Sequence, residues 1–281
     1  MMRISVLVLM LLAAPLSAFA QDGSVGIRSK VPAAVPFGVG ERFDYRVKFG
    51  PIKVGQAYMQ VVGIDTIAGW PTYHLQSLIK GSTFFYKLED KQDSWLDVYQ
   101  LASRRYVQDS HQGDYERYRD YRLDLENLVY ERNDGETDSI PEGALDDASF
   151  VYFVRSIPLE VGETYEWNRY FRWDRNPVIL KVLRREKVKV PAGQFSTIVV
   201  RPIIKTGGLF SEGGEAEIYM TDDDRRLLVK LVTKLKVGSV ILELTEYTLG
   251  QELTAEMLVG GSGGSSAFVG DGRGAASQFF P

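Results

Sequence analysis

Residues 188–247, VKVPAGQFSTIVVRPIIKTGGLFSEGGEAEIYMTDDDRRLLVKLVTKLKVGSVILELTEY, decide the fold. Val188-Lys189-Val190 runs into Pro191-Ala192-Gly193, where the fixed φ of proline and the freedom of glycine favour a tight reversal. From Ser196 to Lys205 the chain is rich in β-branched side chains, which suit a pleated, half-buried surface. Pro202 has no amide donor for a ladder and marks a bulge or an edge. Between Glu215 and Thr221, Ala216, Ile218 and Met220 share one face. The acids 222–224 form a turn, and from Leu227 to Val237 leucine and valine alternate with lysine before Gly238-Ser239 reverses the chain into Val240, Leu242 and Leu244. A four-strand antiparallel meander follows, with one dry face and one wet face. Lysines opposite leucines describe a sheet facing water, whereas a transmembrane barrel needs an apolar outer band.

Working outward, Phe43, Tyr45, Val47 and Phe49 alternate with Asp44, Arg46 and Lys48 in another half-buried strand. Turns at Gly50-Pro51 and Gly69-Trp70-Pro71 place two further strands at 57–65 and 72–80, and 94–130 reads as three or four more joined by hairpins. The single helix is expected at 148–156, capped by Asp146 or Asp147 and stopped before Pro158. Pro36-Phe-Gly-Val-Gly-Glu-Arg-Phe-Asp-Tyr45 also matches Pro158-Leu-Glu-Val-Gly-Glu-Thr-Tyr-Glu-Trp167 in residue type, 122 residues on. Either two half-repeats, about 36–145 and 158–249, each open an antiparallel sheet, or this is a common way to begin a strand.

The run V-P-A-G-x-F, T-D-D-D-R-R at 221–226, G-S-V-I-L-E-L, G-E-R-F-D-Y-R-V near Gly40 and L-D-D-A-S-F-V-Y-F-V-R at 145–155 resemble the bacterial exported proteins grouped as domain of unknown function family 3108. The resemblance covers 36–247, with Tyr219 where that family favours Trp. It implies an exported, mainly β protein and brings no catalytic residues.

At the start, Arg3, the apolar run from Ile4 to Leu12 and Ala18-Phe19-Ala20 have the three parts of a secretory signal peptide with cleavage after Ala20. Residues 21–35 have no periodicity and read as a flexible lead-in; 36–249 form one β domain; 250–281 read as a disordered Gly/Ser-rich tail. The chain carries no cysteine, hence no lipobox and no disulfide framework. Net charge is −4, and −5 once residues 1–20 with their single Arg3 are removed, with no basic stripe for nucleic acid. No transmembrane segment is expected after signal removal, so the mature protein is periplasmic or secreted. Across the 281 residues, 44% are hydrophobic and 15 are tyrosines, enough to build a large core.

Chemical motifs are sparse. His74 and His111 are the only histidines and lack metal-ligand spacing, so His74 reads as a sheet-surface residue; no metal and no cofactor are expected. Asp222 and Asp224 lack the ligand run of a calcium loop. Gly260-Gly-Ser-Gly-Gly264 fits G-x-S-x-G without the strand and helix that motif requires. The expected architecture is all-β, with antiparallel curved sheets forming a barrel, half-barrel or sandwich and one short helix. The expected function is non-enzymatic binding of an apolar or amphiphilic, lipid-like ligand on a concave face, with no catalytic residue assigned. Phe43, Tyr45, Val47, Phe49, Leu227, Val229, Leu231 and Leu235 are the candidate ligand-binding residues. Two alternatives stand beside it: a hydrolase of envelope polymer using a carboxylate pair, and a scaffold whose partner is another envelope protein.

Overall fold

A computed structural model describes residues 31–82, 87–204, 215–234 and 238–260. In chain order the strands are β1 (Arg42–Phe49), β2 (Ile52–Ile67), β3 (Trp70–Ser82), β4 (Lys87–Asp97), β5 (Ser103–Gln112), β6 (Tyr115–Asp124), β7 (Val129–Arg132) and β8 (Thr137–Ser139). Helix α1 (Asp147–Arg155) follows, then β9 (Thr164–Trp167), β10 (Val178–Val190), β11 (Gly193–Ile203), β12 (Glu215–Thr221), β13 (Leu228–Lys234), β14 (Ser239–Thr248) and a short α2 (Ala255–Gly260). All fourteen strands belong to one antiparallel sheet in the order β8-β7-β6-β5-β4-β3-β2-β1-β14-β13-β12-β11-β10-β9. Two meanders therefore run out to opposite edges and meet where the last strand pairs with the first.

The sheet is curved, and α1 shows why. The helix packs on β3 and β4 on one side, while Phe150 and Val154 share a cleft with Leu180, Ile218 and Met220 of β10 and β12 on the other. β3 and β11 stand six places apart in the sheet, about 29 Å if it were flat at ~4.8 Å per strand. A helix is only ~10 Å across, so the sheet must wrap around it. The end strands β8 and β9 do not pair with each other, which leaves a half-barrel rather than a closed one.

Where the ends approach, the chain on either side of α1 fills the gap. Leu145 bridges Tyr170, and Phe171 packs edge-on to Tyr121 and Tyr130. Arg169 donates to the carbonyls of Gly143 (2.7 Å) and Leu101 (2.8 Å) and lies over the Phe153 ring. Burial away from any carboxylate lowers this guanidinium to about 10.

The described residues of 188–247 form the expected antiparallel strands, with one departure. A bulge between Tyr219 and Met220 sets Val229 outside the β12–β13 pairing, so Leu227, Leu228 and Val229 are all buried in succession. Strict alternation had no place for that, because a bulge adds a residue to one strand without a sequence signature of its own. The acidic turn is held by Asp223, which accepts from the Arg225 and Arg226 amides and from the Thr221 hydroxyl.

Both matched strand starts make the same three hydrogen bonds. Gly40 N donates to Val61 O, Glu41 N to Gly38 O and Val61 N to Glu41 O; Gly162 N donates to Val182 O, Glu163 N to Glu160 O and Val182 N to Glu163 O. Gly40 (φ +82°) and Gly162 (φ +97°) occupy the left-handed region that glycine enters freely. Beyond them, Val62 and Leu183 are bulged at the same place, and Thr72 and Thr197 each donate to the backbone of the facing acid, Asp65 or Glu186.

The sheet does not end at residue 249, since Val39 and Gln251 exchange backbone hydrogen bonds of 3.0 and 2.8 Å. Residues 1–30, read above as leader and lead-in, and 261–281 of the tail, including most of the G-x-S-x-G match, lie outside the described residues. Among the described residues no helix is long and apolar enough to cross a membrane.

Candidate functional site

Helix α1 begins at a buried capping box. Asp146 Oδ1 accepts from the Ala148 and Ser149 amides at 2.9 Å each, and Ser149 Oγ accepts from Asp146 N. Ser94 of β4 donates to Asp146 Oδ2 at 2.6 Å, and Ser103 of β5 bonds Ser149 at 2.7 Å, which stitches the helix start to the sheet. Burial pushes the Asp146 carboxyl up to about 6, against these donors, from an ordinary 3.8. A raised folded value means that the native state holds the proton more tightly than the unfolded chain. The contribution to stability is therefore complete below about pH 4 and lost as pH rises through about 6, an effect of roughly 3 kcal/mol. Asp146→Asn is expected to remove that pH dependence. Urea midpoints of both proteins between pH 4 and 7 check this, and a stability difference that stays constant across the range refutes it.

The next residue, Asp147, faces the interior. Tyr170 donates to its Oδ1 at 2.8 Å and Tyr106 to its Oδ2 at 3.3 Å, and Arg175 donates to the Tyr170 hydroxyl. With Val151 one turn on, it borders clefts on both sides of the helix: a nearly filled one toward Leu180 and Ile218, and one of about 90 Å³ toward Met59, Leu75 and Gln92. These contacts identify the concave face, and strand register extends it, since directly paired residues share a face. Val47, Leu242, Leu231, Ile218, Val200 and Val182 form one continuous row across six strands. On the other arm the rows read Ala57, Ile79, Asp90, Ser110, Arg117 and Met59, Ser77, Gln92, Gln108, Arg119. The same inner surface is thus aliphatic on β10–β14 and β1, and polar from β4 to β6. Burial, foremost, raises the Asp90 carboxyl, with Asp147 adding to the shift and Gln108 and Arg117 opposing it.

The model sequence of the family described as "Protein of unknown function (DUF3108)" matches residues 44–245. The chain belongs to that family. No curated protein matches it. A solved structure from Brucella abortus, described as a beta-barrel-like protein of domain of unknown function DUF1849, is 10% identical with a TM-score of 0.51, covering 78% of this chain and 100% of that one. A "putative lipoprotein" from Parabacteroides distasonis is 11% identical with a TM-score of 0.34, again over 78% and 100%. At these identities the likeness concerns fold alone, and of these two the Brucella structure scores high enough to carry that.

In this DUF3108 chain, six of the eight candidate ligand residues are buried: Phe43, Tyr45, Val47, Leu227, Val229 and Leu231 are 0 to 6% exposed. Tyr45 also donates to Leu228 O at 3.0 Å. Phe49 is half-buried, and Leu235 lies outside the described residues. The side chains that border open space are Val151, Met59, Gln92 and Asp147. Sequence reading passed over Gln92 because polar residues on a strand are normally taken as the wet face; for Asp147 the adjacent acids Asp146-Asp147 were the available signal.

Other hollows are less suited to a ligand. One of about 370 Å³ lies on the outer face of β4–β6 among Lys87, Glu89, Lys91, Asp109 and His111, and is open to solvent. Glu89 is paired with Lys80 and Lys91 with Asp93, and His111 lies 3.0 Å from Asp109, so much of it is a salt-bridged sheet surface. His74 is also on the outer face, stacked on Trp95 and 2.8 Å from Asp93. Asp222 is engaged by Arg185 and Arg226. Among the described residues no three His, Cys, Asp or Glu side chains converge as metal ligands.

Proposed function

We propose that this DUF3108 protein is an exported envelope protein, non-enzymatic, that holds an amphiphilic, lipid-like molecule in the concave side of its half-barrel. The observation that carries the reading is the change of character along the inner face, aliphatic on one arm and polar on the other, on either side of α1. Beyond the 90 Å³ cleft, Ile79, Val240 and Leu242 are only half-buried and extend an apolar path for a chain. The reading takes 36–249 as one β domain of two half-repeats, about 36–145 and 158–249, released to the periplasm or medium by cleavage after Ala20.

Burying a twelve-carbon chain contributes about 10 kcal/mol gross at ~0.8 kcal/mol per CH₂, before association costs of roughly 4–15 kcal/mol. At the low end of that cost about 6 kcal/mol remains, a Kd of roughly 40 μM. Titration of a fluorescent acyl probe into residues 21–281 is expected to saturate, and Val151→Trp, which fills the space beside the helix, to weaken it about tenfold or more. Native mass spectrometry of the purified protein tests for a co-purified lipid. A folded protein that takes up no probe, or a Val151→Trp variant that binds as well as the parent, ends this reading.

A carboxylate-pair hydrolase is the second reading, favoured by one observation: Asp90, raised by burial, faces the same interior as Asp147. Both Asp147 oxygens, however, are occupied by tyrosine hydroxyls.

A further inference from the structure

We propose that Arg117 and Arg119 on β6 form an anion subsite, so that the amphiphile carries an anionic headgroup of the phosphate or carboxylate type; this rests on the trough described above. Register places both arginines on the inner face: Arg117 stands opposite Ser110, itself opposite Asp90, and Arg119 stands opposite Gln108, itself opposite Gln92 of the cleft.

Their lack of partners is what sets them apart. On the outer face the half-buried arginines are matched with acids, Arg105 with Asp120, Arg201 with Glu217 and Arg42 with Asp44. Arg119, also half-buried, makes no hydrogen bond or ion pair among the described residues. Arg117 has a buried Nε with no partner, and its guanidinium meets only the Tyr115 ring at 5.8 Å. A half-buried guanidinium without an acceptor is costly, because it is always charged and has five donors to satisfy. An anion on the inner face supplies those acceptors in the bidentate geometry that guanidinium favours.

The nearby acids leave these donors open. Asp90, two strands away from Arg117, feels its charge but makes no hydrogen bond or ion pair with it, and is engaged by Gln108 at 3.3 Å. Asp147 is held by Tyr170 and Tyr106. Ser110 and Gln108 supply neutral hydrogen-bonding groups beside the arginines. The polar arm thus fits an anionic head, and the aliphatic arm its tail.

The test compares ligands that share a twelve-carbon chain. Dodecyl phosphate and monolaurin compete with the acyl probe on the protein of residues 21–281, and inorganic phosphate is titrated alone by calorimetry. Dodecyl phosphate is expected to bind about tenfold or more tightly than monolaurin, and Arg117→Gln/Arg119→Gln to abolish that preference while monolaurin affinity stays unchanged. Unchanged monolaurin binding also shows that the variant is folded. Equal affinity of the two amphiphiles for the parent protein overturns the subsite while the trough stands. If neither amphiphile binds, the trough reading fails; phosphate binding that is lost in the double variant then assigns the subsite to a free anion, and no phosphate binding overturns the subsite as well.

Discussion

Glu41→Ala is expected to destabilise the protein by about 3–5 kcal/mol, a large part of the stability of a typical domain. Arg155, at the last turn of α1, is fully buried and meets Glu41 in a fork of 2.6 and 2.8 Å, with a third bond of 3.1 Å to Arg225 O. Phe37, Phe43 and Tyr152 surround the guanidinium at 5.2 to 5.6 Å. With the carboxylate removed, a charge that cannot be shed by deprotonation is left in an aromatic cage with one carbonyl. For a urea m-value of roughly 2–3 kcal/mol/M, the midpoint falls by about 1–2 M. Glu41→Leu/Arg155→Met is expected to recover most of the loss, since it is the broken pair rather than the missing one that is costly. A midpoint shift below about 0.5 M for Glu41→Ala would show that water reaches the site.

That ion pair joins residues 114 positions apart, and only one of the two matched strand starts has it. Glu163 makes the same backbone bonds as Glu41, yet it is exposed. The similarity of the two strand starts was legible in Gly40-Glu41 and Gly162-Glu163, because a left-handed glycine before a strand is a local requirement. That α1 lies over only one of them was not, because helix placement is settled by long-range packing.

The same distinction separates the rest of what could and could not be read. Alternation and turn chemistry showed that 188–247 holds successive strands, and located the helix to within a residue at each end, Asp147–Arg155 against an expected 148–156. The closing pair β1–β14 joins segments some two hundred residues apart, as in Thr245 donating to Asp44 O, and no local pattern encodes it. On β5 and β6, period-two alternation shows that Gln108, Ser110, Arg117 and Arg119 share a face, but the usual apolar-inward rule turns that face outward. In the structure it faces in, and this is the inversion from which the proposed headgroup site arises.

Leu231→Asp is the substitution that locates the boundary between core and trough. Leu231 stands between Leu242 and Ile218 on the inner row and is 6% exposed. Losing its burial costs about 2–3 kcal/mol, and an unpaired carboxylate in its place costs several more even after its pKa rises to meet the pH. The sum, above about 4 kcal/mol, approaches the stability of many whole domains, so the variant is expected to lose its cooperative melt. Leu231→Met, which keeps volume and polarity, is expected to cost less than about 1.5 kcal/mol and to bind the acyl probe as the parent does. A Leu231→Asp protein that melts cooperatively within about 1 kcal/mol of the parent would mean that this face is already wet. If that folded variant had also lost the probe, the floor of the trough would lie on β13, deeper than the clefts beside α1.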